Sequence, residues 1–174
     1  MSTSGAIAAS ALGREGVLCR RPGRVVARRG GAVVRIARAD VRAGGPAARR
    51  IVDDVVASAE AQRLLDAAVP GVFAGVLEVR AGVDALSGAP TAAVVLEGFD
   101  CSVADLLAVG ARPDPETLGA IARRTLEVLQ RLHSAGGRGH GNLKPGNVLL
   151  RFGKGGVEVR LTDPAPAGAP DAAA

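Results

Sequence analysis

Short apolar runs alternate with Pro-Gly and Gly-Gly pairs in the first part of the chain. β-Branched residues concentrate at 17–19, 25–28 and 32–38, which is typical of antiparallel strands joined by tight turns. Two further apolar runs, at 72–79 and 91–97, flank a stretch that contains Gly and Pro. The pattern therefore predicts an antiparallel sheet of five strands.

A helical period separates the third of these strands from the fourth. Within 47–68, apolar residues recur three and four positions apart, and the helix-stopping pair Pro70-Gly71 follows. The apolar positions are Ile51, Val52, Val55, Val56 and Ala59. This spacing predicts one long helix.

Two more helices and a hairpin are expected downstream. Residues 102–108 suit a short helix, and 115–134 suit a long one, because Asp114 can accept hydrogen bonds from the first free amide groups. The apolar face of the long helix comprises Leu118, Ile121, Ala122, Thr125, Leu126, Leu129 and Leu132. Strand-like runs at 148–151 and 157–161 flank a Gly-rich turn and predict a second hairpin.

The predicted fold class is α+β, with four segments along the chain. We expect a flexible N-terminus at 1–15, a sheet-rich unit at 16–98, a more helical unit at 99–165 and a disordered tail at 166–174. Neither terminal segment carries a sustained period, and the tail contains only Ala, Gly, Pro and one Asp, so it cannot build a core.

Charge is divided unevenly along the 174 residues. Residues 1–50 hold 11 Arg and no Lys against Glu15 and Asp40, a sum of +9, so the net charge of +5 leaves −4 for the rest. Such a basic segment can bind a polyanion, serve as a transit peptide or form a solvated basic face. Because the chain lacks Tyr and Trp as stacking platforms, nucleic acid is the weaker interpretation.

Two cysteines, Cys19 and Cys101, are too few and too far apart in sequence to predict a disulfide framework or a zinc site. No apolar stretch approaches the roughly 18 residues that cross a bilayer. We therefore expect reduced thiols, a cytoplasmic location and no contact with a membrane.

Rare polar residues are concentrated in one stretch, 140–147. It holds both Asn, one of the two His and one of the two Lys of the chain. The chain contains 20 Arg, so Lys144 stands out as a compact point charge of the kind that suits a phosphate. The composition alone therefore indicates a functional loop.

The stretch His140-Gly-Asn-Leu-Lys-Pro-Gly-Asn-Val-Leu-Leu150, with Arg160-Leu-Thr-Asp163 after the hairpin, resembles the catalytic loop and metal-binding strand end of the protein kinases. The resemblance implies a small lobe, made of an antiparallel sheet and one long helix, followed by a partial helical large lobe. It also implies that Lys144 neutralises charge on a phosphate and that Asn147 and Asp163 hold Mg²⁺.

One departure from the family pattern affects catalysis directly. Asn142 stands where the kinases carry the aspartate that accepts the proton of the substrate hydroxyl, and an amide has no basic site near neutral pH. The usual Phe-Gly after the metal-binding aspartate is also replaced, by Pro164-Ala165. The resemblance therefore implies an impaired, pseudokinase-like domain with weak or absent binding of ATP and Mg²⁺.

The nucleotide-binding residues of the small lobe are less clearly marked. The resemblance implies that Glu60 takes the place of the helix glutamate of the kinases. It also implies that Arg35, or alternatively Arg38, takes the place of the strand lysine that pairs with this glutamate. Glu97 begins the segment that would hold an adenine ring. For the Gly-rich loop, Gly13 with Gly16, or Gly23 with Gly30 and Gly31, fit equally poorly.

Three functions remain open on the sequence alone. The first is a regulatory or protein-binding domain without turnover, with an unknown protein partner or self-association. The second is a slow serine/threonine kinase or a small-molecule phosphotransferase, and the third is polyanion binding through the Arg-rich segment. Because few residues follow Asp163, we also expect a C-terminally truncated domain that leaves part of the 115–134 helix uncovered.

Overall fold

The computed structural model describes residues 16–21, 24–39, 45–83, 89–136 and 139–166. The predicted flexible N-terminus, and all of the predicted tail except its first residue, lie outside these ranges. Within them the fold is α+β, as the sequence predicts, with antiparallel sheets and three helices.

The larger sheet contains five antiparallel strands. They are β1 (Gly16–Arg21), β2 (Arg24–Arg29), β3 (Ala32–Arg38), β4 (Val76–Val83) and β5 (Pro90–Glu97). Their spatial order is β1-β2-β3-β5-β4, so β3 pairs with β5 across the insertion between β3 and β4. The turn between β2 and β3 places Gly30 and Gly31 at positive φ, as a tight hairpin turn requires.

Helix α1 (Gly45–Ala68) occupies that insertion and packs on the larger sheet. Its buried apolar positions continue the predicted stripe and face small residues of β3 and β5. The resulting cluster consists of Ala37, Ala39, Val52, Val55, Ala59, Ala92, Val94 and Leu96. This packing sets the rotation of α1 about its axis and therefore which of its polar residues point inward.

A second unit follows the link after β5. It comprises β6 (Cys101–Ser102), α2 (Val103–Ala108), α3 (Pro115–Gly136), a single 3₁₀ turn (Pro145–Asn147), β7 (Val148–Gly153) and β8 (Gly156–Leu161). The strands β6, β7 and β8 form a three-stranded antiparallel sheet. Ser102 caps α2 in a reciprocal arrangement with Asp105, which explains why the short helix begins there.

The apolar core of this second unit recruits residues from the segment that precedes β4. Val69, Val72 and Phe73 join the cluster formed by α3 and the β7–β8 hairpin. Phe73 forms an isolated parallel bridge with Leu161, and the Ala74 amide donates to the Leu161 carbonyl at 2.9 Å. The apolar pattern predicts a strand over 72–79, but β4 starts only at Val76 because the preceding residues pair with β8.

Helix α3 buries only part of its predicted apolar face. Ile121 and Leu132 are buried, whereas Leu118 is 52% and Leu126 is 66% exposed. The stripe is thus wider than the surface that covers it within the described residues. None of the described helices combines the length and apolar character that crossing a bilayer requires.

Candidate functional site

The candidate site is the loop from His140 to Asn147 together with the end of β8. Asn142 lies at its centre, and each polar group of this residue is used. Its amide Nδ2 donates to the Asp163 carbonyl at 2.9 Å and approaches Asp163 Oδ2 at 3.4 Å. Its Oδ1 accepts from Lys144 Nζ at 3.3 Å, and its carbonyl accepts from Asn147 Nδ2 at 2.8 Å. The structure therefore brings Asn142, Lys144, Asn147 and Asp163 together.

The Asp163 backbone adopts a left-handed conformation that glycine enters freely and other residues enter only rarely. Its φ is +62°, and no other described residue except glycine has a positive φ. Two side chains hold it there. Gln62 Oε1 accepts from the Asp163 amide at 2.9 Å, and Asn142 Nδ2 donates to its carbonyl. One contact from α1 and one from the loop thus stabilise this backbone conformation.

The Asp163 carboxylate is neutralised inside the protein. Arg35 Nη2 lies 2.9 Å from Asp163 Oδ1, and Ser58 Oγ lies 2.9 Å from the same oxygen. Burial alone would raise the pKa of Asp163, but the charge and hydrogen bond of Arg35 outweigh it, so the pKa stays below its ordinary 3.8. The strand cation expected from the sequence therefore meets the metal-binding candidate directly.

Glu60 does not form the ion pair that the sequence suggested. It is exposed, and it makes no ion pair with Arg35, whose described carboxylate partner is Asp163. The inward positions of α1 are instead Ser58 and Gln62, which lie four residues apart on the same face as Val55 and Ala59. Glu60, two positions from each, points away from Asp163. The side chain of Arg38, the alternative cation, lies outside the description.

Gln62 is not among the site residues that the sequence predicts, yet its side chain makes three hydrogen bonds that hold the site together. It is 1% exposed, its Nε2 donates to the Ala74 carbonyl at 2.6 Å, and its Oε1 accepts from Thr162 Oγ1 and the Asp163 amide. A glutamine within an apolar helical stripe is the signal that would have found it, because a buried amide requires partners.

His140 anchors the loop through buried contacts. It is 3% exposed, and its ring stacks on Phe73 with the centroids 5.8 Å apart. Nε2 lies 3.1 Å from the Thr162 carbonyl and must carry the proton, since a carbonyl only accepts. Nδ1 accepts from the Asn142 amide at 3.3 Å. Burial lowers the pKa of His140 below its ordinary 6.5, although the Thr162 carbonyl and Asp163 oppose the change.

This geometry predicts that acid weakens the fold through His140. The folded-state pKa lies below the unfolded one, so the unfolded chain binds the proton first, and stability falls as the pH drops below 6.5. Unfolding free energies measured against pH should show this slope, at most about 1.4 kcal/mol per pH unit. His133→Gln is the matched control, because His133 is exposed. Between about pH 5 and pH 6.5, above the range where the carboxylates add their own slope, this control should keep the slope and His140→Gln should lose it. An unchanged slope in His140→Gln would refute the assignment.

Glu97 lies outside the His140–Asp163 cluster. Its Oε1 accepts from Arg151 Nη2 at 2.8 Å, and its Oε2 accepts from the Gly75 amide at 3.3 Å. Burial would raise its pKa, but hydrogen bonds and charge from Arg151 lower it on balance. Glu97 therefore serves to join β5 to the second unit, and its carboxylate is already committed to protein partners.

Two arginines hold the link between β5 and β6. Arg28, 8% exposed, donates from Nη2 to the Phe99 carbonyl and, at 2.9 Å, to the Asp100 carbonyl. Arg151 donates to the Gly98 carbonyl at 2.6 Å, and its guanidinium lies 4.2 Å from the centre of the Phe99 ring. Three successive carbonyls thus accept from guanidinium groups, an arrangement that no pattern in the sequence predicts.

The glycines that the sequence offered for a Gly-rich phosphate loop do not form one within the described residues. Gly13 and Gly23 lie outside the described residues, and Gly16 opens β1. Gly30 and Gly31 form the turn between β2 and β3. The described residues therefore supply no set of three glycines for phosphate binding.

Cys101, the described cysteine whose side chain can be assessed, is a free thiol. Burial raises its pKa to about 12, so it remains protonated. Among the described residues, no three His, Cys, Asp or Glu side chains group as a metal site. The sequence matches no protein-family model, and it has no match among the curated proteins.

Proposed function

We propose that this chain is a degenerate, protein-kinase-like domain that acts by binding and does not turn over a substrate. The observation that carries the proposal is the state of Asp163. Its carboxylate is paired with Arg35, and the neighbouring Asn142 is an amide whose Nδ2 donates to the Asp163 backbone carbonyl. In this arrangement the expected metal ligand Asp163 is already paired with a cation, and Asn142 offers no general base.

The order of the elements supports the kinase-like part of the proposal. A five-stranded antiparallel sheet carries one long helix between its third and fourth strands. Helix α3, the loop with His140 and Asn147, and the hairpin ending near Asp163 follow in that order. This is the succession that the resemblance implies, and the loop residues meet in space.

Magnesium does not fit the residues as they stand. Asp163 is the sole carboxylate among the predicted metal ligands, and its Oδ1 is already held by a guanidinium and a hydroxyl. Asn147 uses its Nδ2 to close the loop, which leaves one neutral oxygen. A hard dication that prefers several oxygen ligands would have to displace Arg35. Binding of magnesium nucleotide is accordingly weak.

The segment that the resemblance assigns to adenine is also occupied by protein contacts. The resemblance implies that the segment beginning at Glu97 would bind an adenine ring, yet its carbonyls accept from Arg28 and Arg151. A nucleotide would have to replace charge-assisted hydrogen bonds both at Asp163 and in this segment. Recognition of another protein would leave these hydrogen bonds in place.

The substitution Asn142→Asp tests the proposal. It removes the donor to the Asp163 carbonyl and places a second carboxylate near Asp163 Oδ2, 3.4 Å from the present amide nitrogen. Loss of the hydrogen bond and like-charge repulsion should lower the unfolding free energy by about 2 kcal/mol near neutral pH. Gln130→Glu makes the same change of charge on the exposed face of α3 and should leave the stability nearly unchanged.

Phosphate transfer decides the functional part of this prediction. Wild type and Asn142→Asp are incubated with radiolabelled ATP and magnesium, and neither should transfer label to itself or to a protein substrate. Transfer by the wild type would end the proposal. A melting temperature that rises strongly with magnesium and ATP, but not with ATP alone, would show that metal replaces Arg35 and would end its weak-nucleotide part.

A further inference from the structure

Strand β4 forms one edge of the larger sheet. It lies last in the order β1-β2-β3-β5-β4 and, among the described residues, pairs with β5 alone. A row of its backbone amide and carbonyl groups therefore faces outward, where another strand can add to the sheet. Native edges of this kind are often shielded by Pro or Lys, and β4 contains neither. We call the outward side of Val76–Val83 the β4 edge.

Side chains along the β4 edge alternate between apolar and charged from residue 78 onward. Val79 packs against the cluster under α1, and Ala81 and Val83 line an open groove of about 580 Å³ beside the same helix. Glu78 and Arg80 project from the opposite face, because successive residues of a strand alternate sides. Arg80 Nε donates to Glu78 Oε1 within the strand. The two side chains are 75% and 42% exposed, so both can also reach a neighbouring strand.

Two copies of the β4 edge are complementary when they pair antiparallel about Val79. Residue 78 of one copy then stands opposite residue 80 of the other, so Glu78 faces the partner's Arg80 and Arg80 faces the partner's Glu78. Each charge keeps its neighbour of opposite sign in its own strand, and like charges meet only across the longer diagonal. The four side chains thus alternate in sign, which adds attraction to charges that a single strand already pairs.

The charges also distinguish this register from its neighbours. Centred on residue 78, the pairing would place two carboxylates opposite each other, and centred on Arg80 it would place two guanidinium groups opposite each other. A slip by a single residue would set Glu78 beside the partner's Val79 and mix the apolar face with the charged one. The register about Val79 keeps opposite charges together on one face and apolar residues together on the other.

The ends of the strand fit the same register. Val76 stands opposite the partner's Gly82, and Leu77 stands opposite the partner's Ala81, so a large side chain meets a small one at each end. In its pairing with β5, β4 has a bulge between Val76 and Glu78. The small residues opposite the bulge leave room for its irregular backbone.

Helix α1 leaves room for a second copy. It packs mainly on β3 and β5, with β4 at the margin of the cluster. Three strand spacings, about 14 Å, would separate β5 from the β5 of the second copy. Packed helices need only about 8 to 10 Å between their axes, so the two α1 helices would lie side by side without collision.

The opposite edge of the sheet lacks this complementarity. Strand β1 carries Arg20 and Arg21 and no acidic residue, so two copies of it would bring only cations together. The charge pattern therefore favours β4 as the edge that pairs with itself.

We propose that the chain forms a homodimer through the β4 edge, in which the two larger sheets join into one antiparallel sheet with five strands from each copy. A two-fold axis at Val79 uses the same edge in both copies, so the assembly closes as a dimer. The inference supplies a partner for the binding role but stands on the sheet edge alone. Phosphate transfer by the wild type would end the proposed function and leave this inference intact.

Sedimentation velocity of the full chain measures the association. As the loading concentration is raised about a hundredfold, the mass should move from 17.4 kDa toward twice that value. Glu78→Arg and Arg80→Glu should each weaken the dimer about tenfold, because both cross-strand contacts change from opposite to like charge. An equimolar mixture of the two variants should regain the dimer, since the arginines of one copy then face the glutamates of the other.

Arg124→Glu and Glu127→Arg on α3 are the matched controls. Arg124 and Glu127 form another exposed ion pair, at 2.7 Å, and reversing either residue changes the net charge equally. The dimer should therefore change less than about twofold. The double variant Glu78→Arg/Arg80→Glu restores the alternation of sign and should dimerise as the wild type does, which covers the case in which a single variant is poorly folded.

A monomer at every concentration would overturn the inference and leave the β4 edge to a strand of another protein. A dimer that neither Glu78→Arg nor Arg80→Glu weakens would overturn it as well. Equal losses in the α3 controls, or a mixture of the two β4 variants that associates no better than each variant alone, would also end it.

Discussion

Gln62→Leu should lower the free energy of unfolding by about 3 to 5 kcal/mol. Leucine has nearly the same size but leaves three polar groups without their partner. These are the Ala74 carbonyl at 2.6 Å, the Asp163 amide at 2.9 Å and the Thr162 hydroxyl at 3.2 Å. Each is left in a site from which water is excluded, since Gln62 is 1% exposed.

Urea unfolding, followed by circular dichroism, measures this loss. Gln130→Leu is the matched control, because Gln130 is exposed on α3 and the same substitution should change stability by no more than about 0.5 kcal/mol. A Gln62→Leu variant as stable as Gln130→Leu would show that the buried amide does not hold Asp163. Gln62→Leu should also release the strained Asp163 backbone, so nuclear magnetic resonance signals of the 140–147 loop should change as well.

Gly98→Ala should destabilise the fold by about 3 kcal/mol or more. An added Cβ at Gly98 would lie 1.8 Å from the Gly31 carbonyl oxygen and 2.7 Å from its carbon. Both are backbone atoms of the β2–β3 turn, so no side-chain rotation relieves the overlap. The link must move, and the Gly98 carbonyl then loses its hydrogen bond from Arg151, now 2.6 Å long.

Thermal or urea unfolding of Gly98→Ala is compared with Gly119→Ala. Gly119 lies within α3, and a Cβ added there would have no neighbouring atom within 4 Å, so alanine should stabilise the helix by up to about 1 kcal/mol. The two identical substitutions are thus expected to have opposite signs. A neutral Gly98→Ala would mean that the link between the two units yields easily, contrary to the close contact of Gly98 with the β2–β3 turn.

Gln62 and Gly98 both lie where the larger sheet joins the second unit. Gln62 connects α1 to Thr162 and Asp163, and the link at Gly98 is held by Arg28 and Arg151. Both connections therefore tie the larger sheet to the second unit through polar side chains.

The elements themselves could be predicted from the sequence because their causes are local. The helices near 47–68 and 115–134, and the hairpin at 148–161, follow from period, capping and turn residues, and the structure contains each of them with small shifts at the ends. The polar loop at 140–147 was equally visible, since rare residue types are concentrated there. Its members do meet, because they are joined by a few residues of chain.

Only the tertiary structure decided which distant residues meet Asp163. Ser58 and Gln62 reach Asp163 across more than 100 positions of sequence, and the choice between them and Glu60 depends on the rotation of α1 about its axis. That rotation is set by packing of small apolar residues against β3 and β5, so a register argument along the chain could not fix it. The same holds for β4, whose start moved to Val76 because Phe73 pairs with Leu161 instead.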